Sequence, residues 1–192
     1  MPTRSKFPFP GAVGPIPEGL RADPARWKAY MLGGVPTHTW LERAGLLSSL
    51  RILVLPEGWP YARVNGAPLK YPELEGWRME DPPLDPGELC RSVNTDDECW
   101  LFTCECGVHI CGGVEGPVRV AHDEGLTIWR CPENPLEPLA VFDQKQYRRA
   151  ILKTVNNLLQ VPIPKGGMAW TQSVNPEFVR RALDWARAGK CW

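Results

Sequence analysis

The chain has 192 residues, a formal net charge of +0, 43% hydrophobic residues, 21 prolines, nine tryptophans and seven cysteines. That length suffices for one domain with a sizeable core, and no apolar run approaches the ~18–20 residues of a membrane-spanning helix. An odd number of cysteines cannot all pair internally, and MPTRSKFPFPGAVG lacks the apolar core of an export signal, so a cytoplasmic protein with reduced or metal-bound thiols is expected.

In chain order, residues 1–23 form an extended arm. Pro2, Pro8, Pro10, Pro15 and Pro17 forbid a helix, while Phe7, Phe9 and Ile16 give the arm apolar side chains with which to strap the surface. Residues 24–192 read as a single α+β domain. Asp23-Pro24 opens a short helix to about Leu32, and a second is expected over 39–44, ended by Gly45.

The apolar run Leu50–Leu55, stopped by Pro56, reads as a buried strand. Asn65-Gly66, flanked by Tyr61–Val64 and Ala67–Leu69, signals a tight hairpin. Residues 72–97 carry several prolines and a heavy acidic load, and read as an irregular excursion. Strands are then expected over Cys99–Cys106, Pro117–Ala121 and Leu126–Cys131, with Asp123-Glu124-Gly125 turning the last two into a hairpin. Pro132–Pro138 reads as a loop.

Two helices close the chain. The first spans 143–160, with Asp143 and Gln146 as a capping-box-like start and Tyr147, Ile151, Val155 and Leu158 on one apolar face. The second spans 175–188 and opens at Asn175-Pro176-Glu177. Together these elements predict an antiparallel sheet of hairpins packed by two C-terminal helices.

The densest chemistry lies in Cys104-Glu105-Cys106-Gly107-Val108-His109-Ile110-Cys111. Thiolate and imidazole are the usual zinc donors, and a strand followed by a tight turn can deliver several to one ion. Cys104, Cys106, His109, Cys111 and Cys131 are therefore the candidate metal ligands, and a structural zinc ion is the implied cofactor. Cys99, five residues before Cys104, is expected to lie outside the group. The bland alternative is a set of small buried thiols.

The enzymatic reading makes Cys106 or Cys111 a nucleophile activated by His109 or His122. Against it, His122 beside Asp123 reads as a solvated turn residue. The phosphate-loop, dinucleotide-binding, nucleophile-elbow and His-Glu-x-x-His patterns do not occur. No catalytic residue is assigned.

The run from Trp100 to Tyr147 resembles a set of uncharacterised bacterial proteins. They carry a Cys-Gly-x₃-Cys-Gly turn, here Cys106-Gly107 and Cys111-Gly112, a hairpin closing on an aromatic such as Trp129, and a helix start like Phe142-Asp143 with Tyr147. The resemblance implies that turn and hairpin form one unit, 99–131, and implies no activity.

Charge is unevenly spread. From Asp143 onward nine basic residues face only Asp143, Glu177 and Asp184, whereas Glu73–Glu98 holds nine carboxylates against Arg78 and Arg91. The simplest expectation is that the acidic segment lies beside the basic helices and offsets them. Lys145, Arg149 and Lys153 recur at i, i+4, i+8 and form a candidate binding stripe. The loop Lys165–Trp170 offers Trp170 as a further partner contact, while Trp59 in its own loop reads as a pin into the core. The sequence thus points to an interaction module with a protein partner and no membrane contact. An enzyme with a thiol or metal centre in the Cys104–Cys131 unit is the alternative, and a nucleic-acid accessory protein the third reading.

Overall fold

The computed structural model describes residues 47–54, 58–68, 83–104, 109, 116–130, 138–161 and 174–190. The expected N-terminal arm and the two short helices after it lie outside these residues.

The architecture is α+β, with two antiparallel sheets. The first orders β1 (Leu50–Val54), β2 (Pro60–Val64) and β3 (Ala67–Pro68) side by side. The β2–β3 turn places Asn65 at φ 55° and Gly66 at φ 79°. These are the two left-handed positions of a type I′ turn, which an Asn-Gly pair fills with least strain. The second sheet orders β4 (Asp97–Cys99), β5 (Val118–Asp123), β6 (Leu126–Arg130) and β7 (Pro138–Asp143). Glu124 and Gly125 make its central hairpin in the same way, at φ 41° and 87°.

Three helices complete the described chain: α1 (Pro86–Arg91), α2 (Gln144–Gln160) and α3 (Pro176–Arg187). Each start is capped by a side chain, as expected for Asp143 over α2 and Asn175 over α3. Several elements correct the sequence reading. The strand expected over Cys99–Cys106 is instead the short β4 ending at Cys99, with a single bridge at Phe102 among residues 100–104. Strand β1, expected to be buried, is half-buried to exposed along its length. The acidic stretch is not irregular throughout, because Asp85-Pro86 opens α1 within it. The loop expected to end at Pro138 leads into the strand β7 (Pro138–Asp143) before α2; a proline at the first position of a strand costs no ladder hydrogen bond.

Isolated bridges connect the two sheets at both ends. Ser48 pairs with Phe142, and its N–H donates to Val141 O at 2.6 Å, which sets the chain entering β1 against β7. On the other side Pro83 bridges Tyr61 of β2, and Leu84 bridges Phe102 just beyond β4. Leu84 N donates to Pro60 O (2.8 Å), Asp85 N to Leu101 O (2.9 Å) and Thr103 N to Pro83 O (2.9 Å). Backbone pairing therefore runs in a closed circuit: β4, β5, β6, β7, β1, β2, residues 83–85 and back to residues 101–103.

Helix α2 packs on β1, β6 and β7, and α1 and α3 pack on each other and on α2. The core holds Trp59, Phe102, Trp129, Phe142 and Tyr147, all at most 2% exposed. Trp59 is thus the pin expected of it. Trp129 meets Phe102, Phe142 and Tyr147 edge-on, with centroids 5.2–6.4 Å apart. Both faces of β5 and β6 are buried: Val118, Val120 and Trp129 belong to the core cluster, and Arg119, Ala121, Ile128 and Arg130 on the opposite face are buried as well. No helix among the described residues is long and apolar enough to cross a membrane.

Candidate functional site

The strand pairing of Asp85 with Leu101 carries Asp85 alongside the segment leading into the cysteine turn. Its Oδ1 accepts from Gly87 N (2.7 Å) and Glu88 N (3.0 Å), capping α1. Its Oδ2 lies 3.1 Å from His109 Nε2. One buried carboxylate therefore fixes a helix start and the only described residue of the turn beyond Cys104. The hydrogen bond to Asp85 raises the His109 pKa above the ordinary histidine value, against the opposing effect of partial burial. The Trp100 ring lies tilted at 5.9 Å from the imidazole. Glu88 supports Trp100 from α1, its Oε2 accepting from Trp100 N at 2.9 Å and from Arg91 Nη1 at 3.0 Å.

Of the five candidate ligands, the described residues include Cys104 and His109; Cys106, Cys111 and Cys131 lie outside them. With Nε2 engaged by Asp85, the His109 nitrogen free to meet a metal is Nδ1, and a carboxylate on the other ring nitrogen is the usual support of a metal-bound histidine. Cys104 is buried and stands in a disulfide whose partner lies outside the described residues. A sulfur in a disulfide is no thiolate, so disulfide and zinc are mutually exclusive states of Cys104. Among the described residues no group of three or more His, Cys, Asp or Glu is gathered as for a metal ion. Cys99 and Cys90 are buried free thiols, and burial pushes the Cys90 pKa up to about 12 and raises that of Cys99 as well.

His122 differs from its sequence reading. It lies within β5 and is 9% exposed, so it is not a solvated turn residue. Its partner is Asp96, whose Oδ1 accepts the His122 backbone N–H at 2.7 Å and lies 2.9 Å from Nδ1.

The basic residues are placed as the helical spacing requires. Lys145, Arg149 and Lys153 are all exposed along α2, and none has an ion-pair or hydrogen-bond partner among the described residues. The described carboxylates of the acidic segment pair with other residues: Asp85 with His109, Glu88 and Asp97 with Arg91, Asp96 with His122 and Glu98 with Arg119. Helix α3 is fastened beside this stripe. Arg148 Nη2 donates to Arg187 O (3.0 Å), Arg148 Nη1 to Asn94 Oδ1 (2.8 Å), and Arg187 reaches Asn156. Arg180 and Arg181 are exposed on α3, and Trp170 lies outside the described residues.

Sequence reasoning missed Asp85 and Asp96, the two carboxylates that position histidines. Asp85-Pro86-Gly87-Glu88 carries the same capping signal that was legible at Asn175-Pro176-Glu177, but its histidine partner lies 24 residues away. No protein-family model, no curated protein and no solved structure matches the chain.

Proposed function

We propose that the protein is a binding module which presents the exposed basic stripe of α2, with the adjoining α3, to an acidic protein surface. The observation that carries this reading is that Lys145, Arg149 and Lys153 have no partner among the described residues, while the described carboxylates of residues 85–98 are committed elsewhere. Exposed charges without internal partners contribute little to stability and remain available to steer a partner of opposite sign. Glu177 and Asp184, exposed on α3 among Arg180, Arg181 and Arg187, favour a protein over nucleic acid. A face of mixed sign suits a patterned protein surface better than a uniform row of phosphates. The Cys104–His109 unit acts as a clasp on the fold, closed by a disulfide at Cys104 or by zinc.

A fluorescent poly-glutamate peptide and a DNA duplex of similar charge, titrated at low and moderate salt, test the proposal. The expected result is salt-sensitive peptide binding that a Lys145→Glu, Arg149→Glu, Lys153→Glu triple variant abolishes. Peptide binding that is absent at low salt, or unchanged in the variant, overturns it. Duplex binding tighter than peptide binding transfers the face to the nucleic-acid reading.

A further inference from the structure

A second polar site lies on the core face of the β5–β6 hairpin. His122 and Thr127 are directly opposed across the two strands, so their side chains are neighbours on one face. Both are buried, at 9% and 0% exposure, and both carry a polar atom without a hydrogen-bond partner: His122 Nε2 and Thr127 Oγ1. Thr95 Oγ1, one residue along the chain from Asp96, is a further buried hydroxyl in the same condition.

Each such atom is expensive. A polar group taken from water and left unmatched forfeits its solvation with nothing in return, so buried polar groups in native proteins are almost always matched. Two unmatched atoms on facing residues are better explained by a shared guest than by separate defects.

The chemistry of the guest follows from Asp96. Its Oδ1 already accepts the His122 backbone N–H and faces Nδ1 at 2.9 Å. A carboxylate there selects the tautomer that carries its proton on Nδ1, so the neutral ring offers a lone pair at Nε2. The guest must therefore donate to Nε2 and exchange a hydrogen bond with a threonine hydroxyl. Thr127 is fully buried and cross-strand spacing is short, so the guest must also be small. We propose that His122 and Thr127 form a built binding site for one ordered water. It donates to His122 Nε2 and accepts from Thr127 Oγ1. Such a water would tie β5, β6 and the entry to β4 together through side chains, and would fix the His122–Asp96 dyad in one tautomer.

A crystal structure at high resolution decides the matter. A density peak within hydrogen-bond distance of both His122 Nε2 and Thr127 Oγ1 upholds the site, and an empty position between them overturns it. The variant Thr127→Val gives an independent reading in solution, because valine matches the shape of threonine without its hydroxyl. Loss of a water-bonded hydroxyl should lower the melting temperature, whereas removal of an unmatched one should leave it unchanged or raise it. A melting temperature unchanged or raised in Thr127→Val therefore counts against the site. Nitrogen chemical shifts of His122 should show the Nδ1-protonated tautomer in the native chain. The opposite tautomer would overturn the assigned donor direction and with it the proposal.

Discussion

Asp85 and His109 are joined through Oδ2 and Nε2 at 3.1 Å, while the other oxygen of the same carboxylate closes the first turn of α1. The cysteine turn is thereby fastened to a helix by one side chain with two tasks, and the tasks can be separated by substitution. Asn caps a helix about as well as Asp, so Asp85→Asn should keep the cap and weaken only the histidine contact. Asp85→Ala should lose both, with the cap alone worth about 0.5–2 kcal/mol.

The same pair predicts a pH dependence. The His109 pKa is raised in the folded chain, so its contribution to stability is complete below the unfolded value and is lost as pH rises through the folded value. Thermal melts from about pH 6 upward should show a decline that His109→Gln removes. An unchanged pH profile in that variant would show that the contact does not act on stability.

Cys90 and Cys99 should be inert. Both are buried free thiols whose pKa values burial raises, that of Cys90 to about 12, so neither supplies thiolate at ordinary pH. Iodoacetamide at about pH 8 should label neither in the native protein and both after unfolding, read by mass spectrometry of the peptides. Rapid native labelling of either would show that burial does not keep its thiol protonated and shielded.

Local signals were legible and long-range ones were not. Asn65-Gly66, Asp143 and Asn175 act within a few residues of themselves, and each stands where the sequence placed it. Strand β7 escaped notice because its short apolar run, Leu139–Phe142, passes straight into the helix start at Asp143 with no Gly or Pro between them to bound it. The circuit through Ser48, Pro83 and Leu84 rests on single bridges between distant segments, for which a sequence carries no period. The Lys145, Arg149, Lys153 stripe was found from spacing alone. Its lack of internal partners depended on where Glu88, Asp97 and Glu98 turned, which only the fold decides.

The clasp proposed at Cys104 has a direct test. The chain reduced under inert gas and given zinc should hold about one ion, with Cys104→Ser or His109→Gln weakening its retention, as read by metal analysis after desalting. The oxidised chain should take up none through Cys104. A fully reduced chain that retains no zinc leaves the disulfide as the clasp.

Gly87 marks a close approach of α1 to α3. A Cβ at this position would run into the ring of Phe178. Alanine in place of glycine inside a helix ordinarily gains about 0.5–1 kcal/mol, but here the clash should reverse the sign, costing about 1–3 kcal/mol. Urea denaturation of Gly87→Ala measures this, and adding Phe178→Leu should recover part of the loss. Stabilisation in the single variant would mean that Phe178 moves aside freely.

Tyr147 ties three elements together inside the core. Its hydroxyl accepts from Trp129 Nε1 at 3.0 Å and lies 2.6 Å from Ser92 Oγ, while Ser92 donates onward to Leu89 O at 2.7 Å. Because the serine proton is committed to Leu89, the tyrosine proton goes to Ser92, and every polar atom of the chain of bonds is matched. Burial, the largest influence, raises the Tyr147 pKa well above the ordinary phenol value and keeps that proton in place. Tyr147→Phe preserves the ring contacts with Trp129 and Phe142 but strands the indole N–H in an apolar surround. The expected loss is about 1–3 kcal/mol, seen as a lower urea midpoint with unchanged slope. In a Trp129→Phe background the stranded donor is gone, so the same substitution should cost less. Equal costs in both backgrounds would show that the indole bond contributes nothing and that the aromatic packing alone holds β6 to α2.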